Sequence, residues 1–160
     1  MRGGFLPPAI LIATLGIALS FVTLRIAALA SALMLVAALA VWWLHPPAGW
    51  IEPLFVGCWL SVIATAVLTH IPQRIPPALF LAAAVNGGLW AGAVTAVAGK
   101  GRDLAIAIPC ALLFIPGRLI VRRGWGISIK VVASWLTAVA ILATMVSLTP
   151  TPGYAPDHME

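Results

Sequence analysis

Charge is what this sequence has least of. Only 8% of its 160 residues are charged, and just four are acidic. A soluble domain carries about a quarter charged residues, because its surface must meet water. With 62% hydrophobic residues, the apolar excess is more than one core can hide, which excludes a water-soluble globular domain. Cysteine is scarce too. Cys58 and Cys110 each sit inside an apolar run without a CxxC pair, which excludes a disulfide framework and a cysteine metal site. Paired intramembrane carboxylates, HExxH, GxSxG and a bis-histidine spacing suited to haem are all missing. No catalytic set is therefore visible, no enzymatic activity is expected, and no cofactor or metal is expected. The net charge of +5 would suggest nucleic acid in a soluble protein. Here the basic residues lie between apolar runs and form no stripe, so no nucleic-acid partner is expected.

What the chain has instead is apolar length. About 20 apolar residues cross a hydrocarbon core of about 30 Å. Breaking the chain at charges, Pro clusters and Gly gives spans at roughly 8–24, 26–44, 54–71, 77–98, 104–121 and 131–148. The expected fold is all-α: a polytopic transmembrane helix bundle of about six spans, forming one domain over 1–148. Residues 149–160 form a Pro-rich acidic tail expected to be disordered. The connectors are short, so sequential helices should pack as antiparallel neighbours. A five-span alternative keeps residues 1–24 as an interfacial or re-entrant segment. Six is preferred because 8–44 is too long for one helix.

Under six spans one side receives Arg25, Arg74, Arg118, Arg122, Arg123 and Lys130, with no acid. The other receives Arg2, Lys100 and Arg102 with all the acids: Glu52, Asp103, Asp157 and Glu160. Lys and Arg favour cytoplasmic loops, so an inner-membrane protein with both termini outside is expected. A signal peptide cleaved near Ala18-Leu19-Ser20 would turn the basic loop 122–130 outward and is rejected on that ground. LPPAILIATLG (6–16) echoes IPPALFLAAAV (75–85). An inverted repeat of two three-span halves would explain the echo; the plainer account is that Pro-Pro-Ala often opens an apolar helix.

A few residues inside the spans need a reason. Ala84, Gly88, Gly92 and Ala96 recur every four residues, a small-residue stripe that lets another helix approach closely. Asn86, beside Gly87-Gly88, must find a partner because lipid offers none. An interhelical hydrogen bond is the plainer reading. The sharper one is a locally opened helix that binds a polar solute or ion at the midplane. Pro109 and Pro116, seven residues apart, should kink their helix toward one side. Arg118 follows them, either snorkelling to the interface or drawing an anion into an inner vestibule. Ser61, Thr65 and Thr69 form a seam that either lines a path or bonds back to its own helix. It ends at His70, taken as interfacial and on the side opposite His45. Cys58 and Cys110 lie at similar depth, where a disulfide is conceivable and free thiols are the default. Trp42, Trp43, Trp50, Trp59, Trp125 and Trp135 are expected near helix ends as an aromatic belt, with Trp90 alone deep. Asp157, His158 and Glu160 in the tail are a poor basis for a metal site.

Two short segments carry resemblances. His45-Pro46-Pro47-Ala48-Gly49 resembles the signature of the HPP integral-membrane family, some members of which move nitrite, although Trp50-Ile51-Glu52 departs from it. Ile108-Pro109-Cys110-Ala111-Leu112-Leu113-Phe114-Ile115-Pro116-Gly117 is similar to the twin-proline span of the small threonine/serine exporter module. Thr69-His70-Ile71-Pro72-Gln73-Arg74 faintly resembles that family's Asn-Val-Pro-Arg turn. Both resemblances imply export or permeation. The leading expectation is a small permease or exporter component for a polar solute or ion. Its partners would be the lipid bilayer and either a homo-oligomer or a partner membrane subunit. The alternative is a non-catalytic assembly subunit that docks through the Ala84–Ala96 stripe.

Overall fold

The computed structural model describes residues 5–71 and 75–148. Every long apolar run became a helix, because in lipid each backbone N–H and C=O must be satisfied within its own segment. The elements are α1 (Leu6–Ala18) with a 3₁₀ turn Leu19–Phe21, α2 (Leu24–Leu44), α3 (Ile51–His70), α4 (Pro77–Ala98), α5 (Gly101–Ala107), a 3₁₀ segment Ile108–Leu113, α6 (Phe114–Arg122) and α7 (Gly126–Leu148). Counting α5 to α6 as one, five helices among the described residues are long and apolar enough to cross a membrane. The chain is an all-α bundle with multi-pass character.

Helix ends follow local chemistry. Pro7 and Pro8 open α1 and Pro77 opens α4, where a missing N–H costs nothing. The amide of Lys100 donates to the Asp103 carboxylate at 2.8 Å and starts α5. α6 closes on Gly124 at φ 84. There the Trp125 amide reaches the Ile120 carbonyl and the Gly124 amide the Val121 carbonyl, a Schellman stop that glycine's freedom at positive φ permits.

Two expectations about organisation are corrected. The first segment is not a full-length span, which leaves the five long helices of the five-span alternative, and it is buried rather than interfacial. Its 13-residue helix and three-residue turn reach roughly 25 Å, short of the hydrocarbon core. It lies in the middle of the bundle, with Leu11, Ile12, Leu15, Ala18 and Leu19 at most 1% exposed. Protein encloses most of it, with Leu6 exposed at its start and Ala9, Ile10, Ala13 and Phe21 partly exposed. Sequential helices are also mostly not the main neighbours. α2 packs chiefly along α4, α3 along α7, and α1 touches α3, α4 and the 3₁₀ segment. α2 and α4 both run away from the Arg25 end of the bundle, so their contact is parallel.

Glycine sets these distances. A Cβ on Gly88 would lie 2.3 Å from the Met34 carbonyl oxygen, and one on Gly92 2.3 Å from that of Ala38. The small-residue stripe is therefore spent inside the molecule, with Ala84 fully buried and only Ala96 partly exposed. This overturns its expected use as a docking face. A Cβ on Gly16 would lie 2.8 Å from the Cys110 carbonyl oxygen, so α1 presses on the 3₁₀ segment.

That segment is where the twin-proline span breaks. Pro109 opens it, and Pro116 falls in the first turn of α6, just past its end. The expected pair of additive kinks is thus one 3₁₀ interruption. Two tryptophans also depart from the belt: Trp59, midway along α3, is buried, and Trp135, deep in α7, is 65% exposed. Cys58 and Cys110 are free thiols in separate apolar clusters. The tail 149–160, with its expected disorder, and Arg2 and Arg74 lie outside the described residues.

Candidate functional site

Asn86 sits midway along α4 on a helix that runs unbroken from Pro77 to Ala98. The sharper reading, a local opening at Asn86-Gly87-Gly88, is therefore not there, and the plainer one, an interhelical hydrogen bond, holds. Instead the amide is held from two sides. Its Nδ2 donates to Ser61 Oγ on α3 at 2.9 Å, and its Oδ1 accepts from Trp90 Nε1 at 3.1 Å. Trp90 reaches this position because Gly57 has no side chain. A Cβ there would lie 2.3 Å from the Trp90 ring. The four residues join α3 to α4 at mid-depth, where an interhelical bond is worth about 0.6–2 kcal/mol.

The asparagine is not saturated by these bonds. Its amide has two N–H donors and its carbonyl two lone pairs, and it lines a groove of about 270 Å³ with Ala64, Thr65, Leu68, Leu79, Ala82 and Ala83. This groove opens sideways from the bundle. A second cavity, of about 100 Å³, lies between α3, α4 and α7 at the Arg25 end. It is lined by Phe21, Val22, Leu68, Thr69, Ile71, Ile75, Phe80 and Lys130. Leu68 borders both. The α3 hydroxyls follow the same line: Ser61 bonds Asn86, Thr65 faces the groove and Thr69 borders the end cavity. Thr69 also donates to the Ala66 carbonyl at 2.7 Å.

The remaining sequence candidates do not join this set. Gly87 faces Leu11 on α1, Gly88 is consumed by α2, and Pro109 and Pro116 are exposed on the outside. Arg118 neither snorkels free nor lines the end cavity. Its guanidinium donates to the carbonyl oxygen of Val22, at the turn between α1 and α2, where helix geometry leaves that oxygen without an internal partner. Gly117 lets α6 come this close, since a Cβ there would strike Ser20. His70 pairs with Ser134 across α3 and α7, Nε2 to Oγ 3.3 Å.

Sequence reasoning missed Gly57, Leu68 and Trp90 as parts of the site. A glycine and a leucine in an apolar helix carry no local signal of what they face. For Trp90 the spacing to Asn86, one helical turn, is such a signal.

The charged ends separate as expected. Arg25, Arg118, Arg122, Arg123 and Lys130 fall at one end of the bundle. Glu52, Lys100, Arg102 and Asp103 fall at the other, where Trp42 packs on Gly101. No family model, curated protein or solved structure matches this chain.

Proposed function

We propose that the protein is a permease or exporter component of a cell inner membrane, moving a small polar solute or ion without covalent chemistry. The carrying observation is the pair of cavities that share Leu68 and lead along α3 and α4 from Lys130 to Asn86. In this reading Asn86 offers its unused donor and acceptor to the solute at mid-depth. Leu68 is the barrier between the two cavities. The Arg25 end faces the cytoplasm, by the bias of basic loops, and the chain beyond α7 emerges on the other side. Because α1 fills the centre of the bundle, the path is peripheral. Its open flank needs a second wall, which a homo-oligomer or a partner subunit supplies.

The test is flux into vesicles for solutes found by screening, comparing wild type with Asn86→Leu and Leu68→Trp. Both variants should lose transport while keeping their helical content. Full flux in both would place any path elsewhere and sink the reading.

One observation favours the alternative, a non-catalytic assembly subunit. Trp135 holds a polar indole N–H on an exposed face at mid-depth, where another chain would serve it better than lipid. Mass measurement of the intact assembly in mild detergent separates the two: a homo-oligomer supports the permease, and a fixed foreign partner lost on Trp135→Ala supports the subunit.

A further inference from the structure

The cavity at the Arg25 end differs from the rest of the surface in its chemistry. Its walls are apolar, with Phe21, Leu68, Ile75 and Phe80, and a half-buried lysine, Lys130, stands at its edge. No acidic group among the described residues is near. Glu52 and Asp103, the carboxylates among the described residues, are at the far end of the bundle, and Asp103 is bonded to the Lys100 amide there. Four arginines, Arg25, Arg118, Arg122 and Arg123, share the lysine's end. Arg118 stands behind the cavity wall, its guanidinium bonded to the carbonyl oxygen of the lining residue Val22.

A ligand that fits must therefore be an anion with an apolar body. Free phosphate would leave the aromatic and aliphatic walls empty, and a neutral chain would leave the cations unanswered. We propose that this cavity binds an anionic phospholipid, with its phosphate on Lys130 and the start of one acyl chain against Phe80 and Leu68. The rest of the chain follows the groove of Leu79, Ala82 and Ala83 on the other side of Leu68. Basic pockets between helices at a membrane interface recognise acidic head groups in this way. The inference concerns binding and does not rest on the transport reading. A lipid held there would cover Leu68 and so compete with a solute travelling the same seam.

The full-length protein in mild detergent is titrated with phosphatidylglycerol, with phosphatidylcholine of the same chains, and with glycerol phosphate. Retained lipid is counted by native mass spectrometry. Phosphatidylglycerol should be retained in preference to both others. Lys130→Gln should weaken it about fivefold, Lys100→Gln at the far end should not, and Ile75→Trp, which fills the cavity, should abolish it. Unchanged phosphatidylglycerol retention in Lys130→Gln would overturn the proposal. So would equal retention of phosphatidylcholine, or equal binding of glycerol phosphate. Thermal melts of each variant show that the fold is intact, and Lys130→Arg should restore retention if charge is what matters.

Discussion

Gly87 and Gly88 are neighbours on α4 with opposite prospects on substitution. Alanine at either adds the same methyl and the same gain in helix propensity, up to about 1 kcal/mol. At Gly87 the new Cβ meets only Leu11, whose Cγ is 3.8 Å away. At Gly88 it would lie 2.3 Å from the Met34 carbonyl oxygen and 2.8 Å from the Ala37 Cβ. Both neighbours belong to α2, and the nearer is backbone, so the helix itself must retreat by about one ångström to regain van der Waals distance. A gap of that size forfeits a quarter to a half of each dispersion contact it opens, along the broadest helix–helix face in the fold. Gly88→Ala should therefore cost about 1–3 kcal/mol, and Gly87→Ala should be neutral or stabilising by up to about 1 kcal/mol. Reversible unfolding in mixed micelles of rising SDS fraction, followed by circular dichroism, measures both. Equal midpoints for the two variants would refute the packing argument, because propensity is common to them. Gly92→Ala meets the same helix at Ala38, so the Gly88/Gly92 double variant should cost less than the sum of its parts.

Arg118→Met should destabilise the protein by about 1.5–3 kcal/mol, the worth of a hydrogen bond from a charged donor. High salt should not reproduce the loss in the same unfolding titration, because the partner is a carbonyl and not a carboxylate. Single cysteines at positions 25, 52 and 103, in a background lacking Cys58 and Cys110, should label from opposite faces of sealed vesicles. Positions 52 and 103 should share one face and position 25 the other; labelling of 52 and 103 from different faces would dismantle the helix order.

The existence of the helices was legible because a backbone in lipid has little choice. Charges and prolines marked the ends: α4 begins at Pro77, as the 77–98 span required, and α7 begins within a few residues of the expected place. Which helix lies inside was not legible. In water an apolar stripe points to the core, but α2, α3 and α4 are apolar all round, so no stripe distinguishes a protein neighbour from lipid. The stripe of Ala84, Gly88, Gly92 and Ala96 showed that something comes close, not that it is α2 of the same chain. Asn86 announced an interhelical bond and left its partner open, since Ser61 lies on another helix. Arg118 looked like an interfacial residue because an orphaned carbonyl at Val22 depends on where a turn falls, which a local reading does not fix.

The central position of α1 has a consequence for how the chain enters the bilayer. α1 precedes in the chain the helices that enclose it, so it is made before α3, α4 and α5 to α7 exist to receive it. It must wait among lipids or at the insertion machinery with its polar groups provided for. Its two buried hydroxyls already are: Thr14 donates to the Ile10 carbonyl at 2.8 Å and Ser20 to that of Gly16 at 3.3 Å. Both bonds lie within the first segment and need no partner helix. The last helices to arrive thus close around a segment that was self-sufficient from the start.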